Sequence, residues 1–248
     1  LSRTATTVAE VRRGLDEYHF NDVATANYQF IWHEFCDWYL EWIKADLFSD
    51  DKEAKGQAQG VLLVVLETIL KLMHPLTPFV TEEIWSVLPG ERSTLMNDSF
   101  PTVQENWINP DAEEGMELLM GVITGIRNIR SESDIHPSAT IEAYVVCPNE
   151  KKRDFIASFT RTVSDMTRLS GFYVQLSGEK PDDAAIYIYN DIEIYVPLKG
   201  LVDVAGELAK LARERAKLEI KLQQVNGKLQ NQKFLANAPE QVVDKEKE

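Results

Sequence analysis

Apolar residues recur at helical spacing through the first hundred positions and turn to short alternating runs only later. Val8, Val11, Leu15 and Tyr18 mark one face of a first helix. His19-Phe20-Asn21-Asp22 interrupts it, and Asn21 or Asp22 is a candidate cap for the next helix. That helix runs from about Val23 to Leu47, with Tyr28, Ile31, Phe35, Trp38 or Tyr39, and Trp42 at i+3/i+4 steps. Ser49 to Lys55 is a polar, acidic turn. A third helix, about Ala54 to Met73, is apolar almost all round in Val61-Leu62-Leu63-Val64-Val65-Leu66, the pattern of a helix central in a bundle. Pro75 and Pro78 interrupt the pattern and Phe79 to Leu88 restarts it, with Glu82 and Glu83 early, where the helix dipole favours acids. Pro89-Gly90 stops it. Glu91 to Asn109 has no clear period and reads as a surface loop pinned by Phe100 and Trp107.

From Pro110 the pattern changes. Ala112 to Glu132 is a long amphipathic helix with Met116, Leu119, Ile123, Ile126 and Ile129 on one face. Ala139 to Cys147 reads as a strand, Asn149 to Leu169 as helix, and Phe172 to Leu176, Ala184 to Tyr189 and Asp191 to Pro197 as three more strands. Asn190-Asp191 suits a tight hairpin between the last two. In the last fifty residues a heptad takes over. Its a positions are Leu201, Leu208, Arg215, Leu222 and Leu229, and its d positions Val204, Leu211, Leu218, Val225 and Gln232. That is a coiled-coil seam. Pro239 follows as the first turn of a new helix would accept it. The predicted fold is therefore mainly α with a small α+β part. An antiparallel helical bundle (residues 1–105) leads to an α+β unit with a four-strand sheet (106–198). A coiled-coil helix (199–248) ends the chain, as part of a hairpin arm whose returning helix is mostly missing.

Charge sharpens this division. The formal net charge is −14 over 248 residues. It falls as −9 on residues 1–105, −7 on 106–198 and +2 on 199–248, with +5 between Leu208 and Lys233 alone. An acidic protein does not attract nucleic acid through its overall field, so RNA binding would need a local patch. The longest apolar run, Gly60 to Leu66, is far short of the ~20 residues of a membrane span. Residues 1–6 have neither a basic nor an apolar signal region, and they lack a starting Met, as expected of a piece of something longer. Cys36 and Cys147 are too distant in sequence for a Cys-x-x-Cys unit, and a reducing, cytoplasmic setting fits them.

Few residues invite chemistry. His33 and Cys36 share a helix face, but two ligands do not make a zinc site, so no metal is expected. His74 and His136 each precede a proline and belong to turns. Asp16, Glu17 and Asp22 read as a solvated face, and no carboxylate pair suggests acid–base catalysis. The aromatic stripe could stack bases, but helical spacing assigns Phe35, Trp38 and Trp42 to a core, with Trp32 off the stripe. Arg127 and Arg130 could meet a phosphate or serve structure; the acidic segment around them favours structure. The basic stripe Lys210, Arg213, Arg215, Lys217, Lys221, Lys228 and Lys233 has the best functional case. Acids are scarce there and abundant elsewhere, so phosphate contact is expected.

Four segments carry a family resemblance. They are Glu34-Phe35-Cys36-Asp37-Trp38-Tyr39-Leu40-Glu41 with Lys44; Met73-His74-Pro75-Leu76-Thr77-Pro78-Phe79-Val80-Thr81-Glu82-Glu83-Ile84-Trp85; Ile126-Arg127-Asn128-Ile129-Arg130-Ser131-Glu132; and Gly200-Leu201-Val202-Asp203-Val204 with Asn231-Gln232-Lys233-Phe234-Leu235-Ala236-Asn237-Ala238-Pro239-Glu240. Together they resemble the anticodon-binding bundle, linking helix and C-terminal arm of the valyl-tRNA synthetases, a class I family. The resemblance implies a C-terminal fragment cut at both ends, without the His-Ile-Gly-His-like and Lys-Met-Ser-Lys-Ser-like signatures of ATP chemistry. It implies that the bundle approaches the anticodon arm of tRNA(Val), with Lys44, Trp32, Arg127 and Arg130 as bundle contacts. The basic arm would lean on the corner where the D and T loops meet. The full enzyme would attach valine using ATP with Mg, as a monomer and without a membrane. The fragment would hold no cofactor and contribute no catalytic residue, and could self-associate through its unpaired arm. An isoleucyl or leucyl enzyme is the sister reading, although the isoleucyl type often ends in a four-Cys zinc unit. A coiled-coil interaction protein without RNA is the reading from a different class.

Overall fold

The computed structural model describes residues 1–178, 181–199, 213, 215–220, 222–223 and 225–227. Helix α1 (Ser2–Asp16) buries Thr4, Ala5, Thr7, Val8 and Val11. It ends in a reversal with Tyr18 in the left-handed region at φ 60°. His19 N–H there donates to the Gly14 carbonyl at 2.7 Å, a closure usually built on glycine. Gly14 itself is needed for contact: a Cβ would lie 2.7 Å from Val23 Cγ2. Helix α2 (Phe20–Tyr28) therefore begins earlier than a cap at Asn21 or Asp22 would place it. Its N-cap is His19, and Asp22 sits in its first turn. Val8, Val11, Val23 and Leu72 form one small core, with Leu15 and Phe100 against it.

The aromatic segment is not a plain α-helix. Gln29–Tyr39 is π-helical, followed by the short α3 (Leu40–Trp42) and α4 (Lys44–Leu47). A π-turn bonds i to i+5, so residues five apart share a face. In an α-helix they would diverge by about 140°. Phe30 and Phe35 are five apart and both are buried, against Val65 and Ile69. Helix α5 (Lys52–Met73) starts at Asp51, whose carboxylate accepts from the N–H groups of Glu53 and Ala54. By length and hydropathy it could cross a membrane. In the fold, Val65, Ile69, Leu70 and Leu72 are buried in three bundle clusters, while Val64 is exposed. Helix α6 (Pro78–Val87) takes Pro78 in its first turn and buries Trp85 with Leu70 and Leu95. Leu95, in a 3-10 turn, and Phe100 pin the loop that follows.

Helix α7 (Pro110–Glu132) opens on an Asn109 cap to the Ala112 N–H and carries the largest core. The sheet has order β2-β1-β4-β3. Strands β1 (Ile141–Val146) and β2 (Leu169–Gln175) run parallel; β4 (Ile192–Pro197) is antiparallel to both β1 and β3 (Ala184–Tyr189). Asn190, at φ 53°, makes the tight β3–β4 turn. The helical stretch after β1 is two helices, α8 (Glu150–Ser158) and α9 (Thr160–Thr167), parted at Phe159. Phe159 leaves the helix to pack at 5.1 Å from Phe155 and 5.4 Å from Trp42. Trp38 and Trp42 thus pack on the α7–sheet core and join the bundle to it rather than filling the bundle interior. Ser2 adds a second tie, donating to the Glu113 carboxylate and accepting from the Asn109 N–H.

Candidate nucleic-acid interface

Three places carry the expected contact residues, and they differ in charge. Within 213–227 every described residue is helical. Arg213 and Lys217 are exposed and stand one turn apart on one face; neither pairs with an acid among the described residues. Arg215 pairs with Glu219 at 3.4 Å while remaining exposed. Leu218, Ile220 and Leu222 are 64%, 56% and 61% exposed. Lys210, Lys221, Lys228 and Lys233 lie outside the described residues.

The bundle presents an aromatic group on the π segment. Trp32 is 55% exposed and stacks on the exposed Tyr28 at 6.5 Å and 14°. His33 meets Tyr28 edge-on at 5.6 Å, and its Nδ1 faces the Asp37 carboxylate at 3.3 Å. Cys36 turns away from His33 toward the Phe30–Phe35 cluster, and burial pushes its thiol up from the ordinary value. Among the described residues no three His, Cys, Asp or Glu side chains gather to hold a metal. Lys44 does not end the aromatic helix; it opens α4, and its ammonium pairs with Glu41 at 2.6 Å. That pair offsets the charge expected to face a phosphate.

Arg127 and Arg130 project from the last turns of α7 to a turn that the sequence pattern did not single out. Arg127 lies over the Trp38 ring at 5.5 Å and donates to the Met166 carbonyl at 3.3 Å. Arg130 is half-buried and donates to four carbonyls: Thr167 at 3.3 Å, His136 at 3.3 Å, Pro137 at 3.4 Å and Ala139 at 2.7 Å. Between α9 and β2, Arg168 takes the left-handed region at φ 54° and donates to the Pro137 carbonyl at 3.2 Å. Burial, and then the neighbouring Arg168, push the Arg130 guanidinium down from its ordinary value. The three arginines line one open cleft of about 450 Å³, with Asp134 also on its wall. Arg168 stands 38 positions beyond Arg130. Only the strand crossover brings them together, and no spacing rule would have found it.

Comparison with known proteins extends the resemblance. The family described as the anticodon-binding domain of tRNA ligases matches residues 1–145. The family described as the valyl tRNA synthetase tRNA-binding arm matches residues 203–248. The chain is 65% identical over 245 residues to the valine–tRNA ligase of Desulfotalea psychrophila, covering 99% of this chain and 28% of that protein. It is 41% identical over 250 residues to the valine–tRNA ligase of Syntrophotalea carbinolica, and 42% identical over 250 residues to that of Geobacter sulfurreducens. In both it again covers all of this chain and 28% of the relative, so the chain spans little more than a quarter of these proteins.

Proposed function

The chain belongs to the family of tRNA-ligase anticodon-binding domains, of the valyl type, and from that premise we propose that it is the tRNA-holding part of a valine–tRNA ligase. The observation that carries this is the joint match on one chain: bundle family at 1–145, arm family at 203–248. The partner is tRNA(Val). Residues 1–105 approach the anticodon arm, 106–198 link, and 199–248 reach the corner of the D and T loops. The parent protein joins valine to tRNA with ATP and Mg in the cytoplasm, as a monomer. This chain has neither nucleotide signature, so by itself it holds tRNA without charging it, and no cofactor belongs to it.

Contact falls first on Arg213, Arg215 and Lys217, which are exposed on a helix within an otherwise acidic chain. Lys210, Lys221, Lys228 and Lys233 continue the stripe in the sequence. In the bundle the contacts are the exposed Trp32 and, further along the chain, Lys44, which also pairs with Glu41. The test is filter binding of transcribed tRNA(Val), tRNA(Ile) and tRNA(Leu) over a salt series. A preference for tRNA(Val), with affinity falling steeply as salt rises, supports the reading. Equal, salt-insensitive binding of all three overturns it. ATP–pyrophosphate exchange with valine by this chain alone would overturn the division of labour.

A further inference from the structure

We propose that the cleft between the end of α7 and the α9–β2 turn is a second RNA-backbone phosphate site, contacted by Arg127 and Arg168 and backed by Arg130 as a positioning residue. This rests on the tRNA-binding reading above and adds a site to the sheet-bearing middle of the chain, away from the arm.

Charge sets this cleft apart. In a chain of net −14, half of the other cations among the described residues have an acid within ion-pair reach. Arg3 pairs with Glu34, Lys71 with Asp98, Arg92 with Glu67, Lys152 with Asp191 and Arg161 with Asp165. Arg127, Arg130 and Arg168 have no such pair among the described residues, yet they share one cleft. The bland explanation is that Arg127 and Arg130 cap the C-terminal carbonyls of α9, Met166 and Thr167. A helix C-terminus offsets only about half an elementary charge, and less for a helix of eight residues. With Asp134 on the wall counted in full and the C-terminus of α7 counted with that of α9, three guanidiniums still leave an excess of about one positive charge. Capping alone does not account for that excess; a bound anion does.

The arginines are also pre-organised for a ligand. Arg127 and Arg168 each donate one hydrogen bond to a carbonyl, Met166 and Pro137 respectively. A guanidinium has five N–H donors in a planar fork matched to phosphate, so most of each fork stays free for a ligand. Arg127 is further held over the Trp38 ring, 5.5 Å from its centroid. Arg130 is consumed by four carbonyls and sets the loop 136–139 against which Arg168 rests. The site is shallow and open, which suits a phosphodiester carried on a large polymer rather than a small free anion.

The experiment uses the 248-residue chain and transcribed tRNA(Val). Affinity is measured across a salt series for the unaltered chain, for Arg127→Gln with Arg168→Gln, and for Arg127→Lys with Arg168→Lys. Each neutralised phosphate contributes about 0.9 to the slope of log affinity against log salt on a duplex, about 0.7 on a single strand. The glutamine pair is expected to lower the slope by roughly 1 to 2. Ethylation of one or two backbone phosphates should interfere with binding by the unaltered chain and no longer interfere with binding by the glutamine pair. The lysine pair should restore most of the slope, which a folding defect would not. Binding by the unaltered chain with the slope and the phosphate map unchanged in the glutamine pair overturns the site and leaves the arm reading standing. No salt-dependent tRNA binding by the unaltered chain overturns both.

Discussion

Arg130 spreads its guanidinium over carbonyls of two chain segments, Thr167 on one side and 136–139 on the other, which Arg168 also ties by donating to Pro137. Removing it takes the donor from the part-buried Thr167 and Ala139 carbonyls, while His136 keeps the Ala139 N–H and Pro137 keeps Arg168. Hydrogen bonds to charged groups are worth about 1.5–3 kcal/mol, and partial exposure argues for the lower half. Arg130→Ala should lower the unfolding free energy by about 2 kcal/mol, read as a shifted urea midpoint at constant slope. Arg130→Lys should recover little, because one ammonium cannot reach the whole fan. An unchanged midpoint would refute the clamp. Cys147 makes a pH prediction. It is fully buried, and burial raises its thiol above the ordinary value. The folded chain therefore keeps the proton that the unfolded chain releases. The stability tied to this thiol is complete below the unfolded value and is lost as pH rises past about 8.5–9. Cys147→Ala should flatten that alkaline decline in a pH series of urea midpoints; an identical decline would show that other groups cause it. The acidic surroundings of Arg130 pointed to a structural role, but the carbonyls it bonds, rather than acids, were not legible in them. Arg168 was not legible either, because its significance comes from a left-handed turn and a parallel strand pairing, neither of which leaves a local pattern.

Periodicity located the helices and strands but could not see how two of them are wound or packed. The spacing Phe30, Phe35 looks like a miss to an α-helical template, since the two faces would diverge by about 140°. The π segment absorbs that mismatch and puts both rings on Val65 and Ile69. The exposed Tyr28–Trp32 pair lies on the same stretch, so the winding that buries one aromatic set displays the other. Phe159 likewise broke one predicted helix into α8 and α9, because tertiary packing on Trp42 outweighed local propensity. The strands and the Asn190 turn were legible because alternation and turn chemistry are local. The α7–sheet contact was not, because it depends on absent side chains. A Cβ on Gly121 would lie 2.3 Å from the Tyr189 ring, and one on Gly125 2.6 Å from Ile194 and Tyr187. These two glycines, one turn apart, let α7 settle on β3 and β4. Their cost in helix propensity, about 1 kcal/mol each, is outweighed by the buried contact. Gly121→Ala should cost about 1–3 kcal/mol through overpacking, although alanine is the better helix former. A gain in thermal stability for Gly121→Ala would mean that the ring yields freely and the contact is loose.

At the scale of the whole chain, two tryptophans and one serine bind the acidic bundle to the sheet, while the basic helix displays its apolar seam. Trp38 and Trp42, both partly buried, pack against the α7–sheet core, so bundle and sheet should unfold together rather than in sequence. The helix near 213–227 is in a different position. Leu218 and Leu222 occupy successive d and a positions of the heptad and are 64% and 61% exposed, with Ile220 56% exposed beside them. Burying one such side chain gains about 1.5–3 kcal/mol. Six of them, three from each of two copies, offer about 9–18 kcal/mol against an association cost of about 4–15 kcal/mol. The balance is a weak, concentration-dependent pairing rather than a permanent dimer. Arg215 at an a position opposes it, partly offset by Glu219 one turn on. Sedimentation of this chain from the micromolar to the millimolar range should show reversible self-association. Leu218→Glu with Leu222→Glu should abolish it and leave the thermal unfolding of the bundle and sheet unchanged. Strict monomers across the whole range would mean that the exposed leucines do not suffice to pair two copies. Association that survives the double glutamate change would instead place the contact elsewhere on the molecule, with the exposed Phe79, Val80 and Val87 face of α6 the next surface to alter.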